Sequence, residues 1–155
     1  MIRLSRLADY GVTLMGQLAA QPGRLVTAPD LALVTGLPVP TVSKVLKLMA
    51  QDCLIVSQRG TKGGYALTRA ATEITVAQII AALDGPIALT DCMDDDSGIC
   101  DLESQCQTRT NWRKINDVIN EALGNVTLAD MMLPNMPFVV RAGQAVTTAL
   151  PKSVS

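Results

Sequence analysis

Cys92, Cys100 and Cys106 are separated by seven and five residues, inside a polar stretch that also holds Asp94, Asp95, Asp96, Asp101 and Glu103. Thiolates grouped at such short spacings bind soft metals or do redox chemistry. Small residues between them, Ser97 and Gly98, let the three sulfurs converge. The residue types leave four readings open: an iron–sulfur cluster, zinc, a thiol redox sensor or an inert triplet. Zinc is the poorer fit, because the stretch has no CxxC pair and the chain no histidine. The fourth cysteine, Cys53, is flanked by Leu54 and Ile55 and is expected to be buried as a small hydrophobe.

Something must position this loop. The chain has 155 residues, enough for one domain, or one small domain with an appended helix. Apolar residues make up 48% but aromatics only 3%, so the core is expected to be aliphatic, and a dimer interface would cover surplus apolar surface. Charge is uneven. Residues 1–75 hold eight Lys/Arg against four Asp/Glu, and residues 76–155 hold five against ten. A basic half suits phosphate contact and an acidic half does not. The start of the chain lacks a secretory pattern and no run approaches membrane-spanning length, so a cytoplasmic protein without membrane contact is expected.

Apolar spacing predicts a helix over residues 4–20, ended by Pro22-Gly23. Thr27 is placed to cap a short helix from Ala28 to Val34. Gly36-Leu37-Pro38 makes a turn into a third helix, about Val39 to Gln51, with Val42, Val45, Leu46 and Met49 as its buried stripe. Two short helices joined by a glycine turn, with Thr, Ser and Lys on the second, fit a helix-turn-helix. Leu54–Ser57 and Tyr65–Leu67 flank the tip Arg59-Gly60-Thr61-Lys62-Gly63-Gly64 and read as a hairpin, or wing. Thr75 is expected to cap a helix over Val76–Leu83. A longer helix, about Thr108–Leu123, carries Trp112, Ile115, Val118, Ile119 and Leu123 on one side, and Trp112 is read as dimer core. Thr127 caps a last short helix through Met132.

The fold class expected is mainly α with a small β-hairpin: a winged helix-turn-helix plus a long dimerisation helix. Its parts are a DNA-binding domain (1–84), a cysteine-bearing loop (85–107), a dimerisation helix with a short C-terminal helix (108–133) and a loose tail (134–155). The candidate DNA-binding residues are Pro40, Thr41, Ser43 and Lys44 at base edges and Lys47 on phosphate. Arg59 and Lys62 on the wing complete the set, since an arginine there suits a narrow minor groove. A rival reading is a solvated basic turn beside a core helical pair. An enzyme is not expected, because the chain has no histidine, no Walker-type phosphate loop and no GxGxxG.

Leu4-Ser5-Arg6-Leu7-Ala8-Asp9-Tyr10-Gly11, the run Arg59-Gly60-Thr61-Lys62-Gly63-Gly64-Tyr65-Ala66-Leu67 and the cysteine triplet together resemble the Rrf2 family of bacterial transcription regulators over about residues 1–133. The opening segment looks most like regulators of the SUF-type iron–sulfur cluster assembly operon. The resemblance implies a homodimer binding double-stranded DNA, with a [4Fe-4S] or [2Fe-2S] cluster on Cys92, Cys100 and Cys106. In the cluster-assembly regulators a histidine three residues after the last cysteine completes the site. That place is Arg109 here, which stays protonated and cannot ligate. Other members use an aspartate of the partner's first helix, and Asp9 stands in the matching segment; its plain alternative is a surface carboxylate or a helix salt bridge. The function implied is a cluster-sensing repressor of cluster-assembly genes. The alternatives are a DNA-binding regulator sensing thiol oxidation or zinc, or a cluster scaffold or electron carrier.

Overall fold

The computed structural model describes residues 3–90 and 106–134. The elements run α1 (Arg6–Ala19), α2 (Ala28–Thr35), α3 (Val39–Gln51), β1 (Ile55–Gln58), β2 (Gly64–Leu67), a single 3₁₀ turn (Ala71–Glu73), α4 (Val76–Asp84), α5 (Arg109–Gly124) and α6 (Leu128–Met131). The architecture is therefore the mainly helical one, with an antiparallel two-stranded hairpin pairing Ile55 with Leu67 and Gln58 with Gly64.

Helices α1, α2, α4 and α6 begin where a side chain satisfies the first turn. The first N–H groups of a helix have no partner within it, so a side-chain oxygen at the N-cap removes a real cost. The Ser5 hydroxyl accepts from the Ala8 N–H at 3.0 Å, and Thr27 accepts from the Asp30 N–H at 3.2 Å. Thr75 caps α4 through the Gln78 N–H while the Gln78 side chain returns to the Thr75 N–H. Thr127 and Asp130 make the same reciprocal pair at α6. Helix α2 ends at Gly36, whose φ of +72° glycine adopts without strain.

Helix α1 is the spine, packed against α2, α3, α4, α6 and β2. Its Leu14, Met15 and Leu18 meet Leu31, Val42, Val45, Leu46 and Met49 of the two following helices, Ile79 of α4 and Leu128 of α6. The core is aliphatic, as the composition requires. Leu14 is fully buried, so Leu14→Ala deletes packing and leaves a cavity. Chemical denaturation should show a loss of about 3 kcal/mol for that variant. An unchanged midpoint would place Leu14 outside the cooperative core.

The wing and the C-terminal helices are fastened to this body by backbone pairing. Val26 and Tyr65 exchange N–H···O bonds of 2.9 and 2.8 Å, which ties β2 to the strand-like entry of α2. The Leu128 N–H donates to the Ile74 carbonyl at 2.8 Å and the Val76 N–H to the Val126 carbonyl at 2.9 Å. A second apolar cluster of Ala8, Val76 and Ile80, flanked by Ile87, Leu123 and Val126, seats α5 on α1 and α4. No single helix among the described residues is long and apolar enough to cross a membrane.

Cys53 corrects the sequence expectation: it is exposed, not buried. Helix α3 closes with the Leu54 N–H on the Met49 carbonyl (3.0 Å) and the Cys53 N–H on the Ala50 carbonyl (3.2 Å). This pair of bonds needs a left-handed residue just past the helix, and Cys53 supplies it at φ +58°. Its apolar neighbours Leu54 and Ile55 go into the core, while the reversal turns the thiol outward.

Candidate nucleic-acid interface and cysteine loop

Helices α2 and α3 meet at 118° across Gly36-Leu37-Pro38, within the range of a helix-turn-helix. Helix α3 is two-faced. Val42, Val45, Leu46 and Met49 are buried, and the opposite stripe of Val39, Pro40, Ser43, Lys44, Lys47 and Gln51 is exposed. Four of the five α3 residues assigned to DNA, Pro40, Ser43, Lys44 and Lys47, therefore share one solvent face; Thr41 is half-buried at its edge.

The wing tip turns tightly, the Gly63 N–H donating to the Gly60 carbonyl at 2.9 Å. Gly60 has φ +113°, and Arg59 and Lys62 are exposed on either side of it. Helix α3 packs on β1 of the wing, and exposed cations on both the helix face and the tip suit contact with a polyanion.

The comparisons agree with this geometry. The Rrf2 family, described as iron-dependent transcriptional regulators, matches residues 4–134. The chain belongs to the Rrf2 family. It is 36% identical to the HTH-type transcriptional regulator Rv1287 of Mycobacterium tuberculosis over 134 residues, 84% of this chain and 81% of that one. Among solved structures it is similar to CymR, the global cysteine regulator of B. subtilis (TM-score 0.68, 27% identity, 85% of this chain and 97% of that one). It is also similar to IscR of T. potens (TM-score 0.63, 30% identity, 84% and 86%). It is thus a DNA-binding transcriptional regulator rather than an enzyme.

Of the residues assigned to a cluster, Cys106 and Asp9 are described; Cys92 and Cys100 lie outside the described residues, as do Asp94, Asp95, Asp96, Asp101 and Glu103. Among the described residues no three Cys, Asp or Glu side chains converge as a metal site. Asp9 is exposed on the first turn of α1. Cys106 is half-exposed just before α5. Its Sγ lies 3.4 Å from the Thr108 hydroxyl. That hydroxyl, then the Thr108 backbone and, more weakly, the Arg109 backbone and charge, hold the thiol below its ordinary pKa against the opposing effect of burial. A lowered pKa means more thiolate at neutral pH. In metal-free protein the pH midpoint for Cys106 alkylation, followed by peptide mass spectrometry, should fall below that of a free thiol. Thr108→Val should raise it. No change in Thr108→Val would remove the hydroxyl as the cause.

Sequence reasoning missed Asn116 and Asn120. The buried Asn116 accepts from the Leu89 N–H at 3.1 Å, and the Asn120 amide donates to the Ile87 carbonyl at 3.3 Å. The segment entering the cysteine loop is thereby laid along α5, and Cys106 at its exit runs straight into the same helix. The available signal was a pair of asparagines four apart on an amphipathic helix, which places both on one face.

Proposed function

We propose that this Rrf2 regulator senses an iron–sulfur cluster and with it represses genes of cluster assembly, most like those of the SUF system. The observation that carries the reading is the placing of Cys106, a thiol biased toward thiolate at the foot of α5. Its soft donor suits cluster iron. Cys92, Cys100 and Cys106 would hold the cluster, with Asp9 of the partner subunit as the fourth ligand, since Arg109 cannot serve. When bound, the cluster supplies a labile metal centre whose presence reports iron and oxidant status.

The chain's own residues supply the coupling. Asn116 and Asn120 fix the loop's entry to α5, and Cys106 fixes its exit, so a ligated loop bears on α5. Helix α5 in turn presents Trp112, Ile115 and Val118 to solvent, the face assigned to a second copy of the chain. In this reading residues 1–84 read DNA, 85–107 take the cluster, and 108–133 set the angle between two winged heads. Two half-sites on DNA have fixed helical spacing, so that angle controls affinity. The switch works by differential affinity of two dimer states for the operator. The tail assigned to 134–155 lies almost wholly outside the described residues.

A second reading is favoured by the likeness to CymR, a global cysteine regulator, and by the lowered Cys106 pKa: a thiol sensor without a cluster. Iron and sulfide analysis of protein purified without oxygen separates the two. Stoichiometric iron and sulfide, reduced in Cys106→Ala and Asp9→Ala, with operator affinity changed by removing the cluster, is the expected result. Iron-free protein whose operator affinity follows thiol oxidation would establish the second reading instead.

A further inference from the structure

The exposed stripe of α3 changes character along its length. Its later members are Lys44, Lys47 and Gln51, and before them Ser43 carries one hydroxyl. Its first turn carries Val39, 43% exposed, and the exposed Pro40. Neither side chain has a hydrogen-bonding atom, and Pro40 lacks a backbone N–H. Thr41, the next residue, is half-buried. An exposed valine at this place is not covered by the core, which takes Val42 and Val45 from the other side of the helix.

In a helix-turn-helix the N-terminal residues of the second helix contact base edges in the major groove. Base edges there present donors, acceptors and one apolar group, the C5-methyl of thymine. We propose that Val39 and Pro40 form an apolar reading edge for thymine methyl groups, one contact patch in each operator half-site. The inference rests on the DNA-reading face described above and is continuous with it. It assigns base preference under the first turn to van der Waals contact and desolvation rather than to hydrogen bonding. Ser43 and the lysines then handle neighbouring base edges and phosphates.

The test uses the full chain. An operator is selected from a random duplex library, and each thymine of both half-sites is replaced in turn by deoxyuridine, which differs only in lacking the methyl. At one or two adjacent positions per half-site, the wild type should lose about threefold to tenfold in affinity, the effect of one desolvated methyl contact. That loss should vanish in the Val39→Ser, Pro40→Ser variant and persist in Ser43→Ala. All three side chains are exposed, so these variants keep the fold. Tolerance of deoxyuridine at every position, or an equal loss in the Val39/Pro40 variant, would overturn the proposal and leave the DNA reader standing. Failure to select any duplex would overturn the DNA-reading face itself.

Discussion

Gly63→Ala should weaken operator binding by at least about tenfold, some 1.4 kcal/mol, while the protein stays folded. A Cβ at Gly63 would overlap the Gln58 carbonyl oxygen and stand 2.9 Å from that of Gly60. Both obstacles are backbone, so no rotamer change relieves them. The tip must open, breaking the 2.9 Å bond from the Gly63 N–H to Gly60. Arg59 and Lys62 flank that bond and lose their common placement. The aliphatic core lies elsewhere, around Leu14, Val45 and Ile79, so the thermal midpoint should fall by only a few degrees, as for a loss of roughly 1 kcal/mol. Anisotropy titration on an operator beside a melting curve reads both. Affinity equal to wild type would mean that the wing does not touch DNA.

This prediction uses a feature the sequence displayed openly. Glycines between cations, flanked by β-type runs, have few other uses. The helix-turn-helix was equally legible: α3 was expected over Val39–Gln51 and runs over those residues. There the apolar stripe, a proline-rich entry and the Gly36 turn all agree, and agreement between local signals makes a boundary readable. The caps at Thr27, Thr75 and Thr127 were readable for the same reason, since a hydroxyl before a periodic run has a specific local partner. Cys53 was not, because its exposure follows from a chain reversal set by hydrogen bonds from the end of α3, whereas its neighbours suggested burial. The 3₁₀ turn at Ala71–Glu73 lacks apolar periodicity altogether. Asn116 and Asn120 act on Ile87 and Leu89, about 30 residues back along the chain, and spacing rules do not register such long-range pairs. The cysteine triplet announced its chemistry through residue type, but convergence of three sulfurs and a carboxylate is a tertiary property. Of that set, Cys106 and Asp9 are among the described residues.

Val118→Asp should have the largest effect on assembly. Val118 is 64% exposed in the single chain, so the aspartate costs the monomer little and thermal stability at low concentration should hold. In the proposed dimer the same position is covered by the partner's α5. Covering an unpaired carboxylate in apolar surroundings costs several kcal/mol, enough to raise the dimer dissociation constant by at least about 100-fold. Operator affinity should fall with it, because two heads joined in one dimer bind two half-sites at high effective concentration and separated heads do not. Sedimentation would show a monomer, and anisotropy would show weak single-half-site binding. The outcome also bears on the switch. If cluster occupancy acts through α5, the monomeric variant should bind a single half-site equally with and without the cluster. A cluster effect that survives in the monomer would place the coupling between the cysteine loop and the winged head of the same chain, and would remove both the dimer and the partner's Asp9 from the switch.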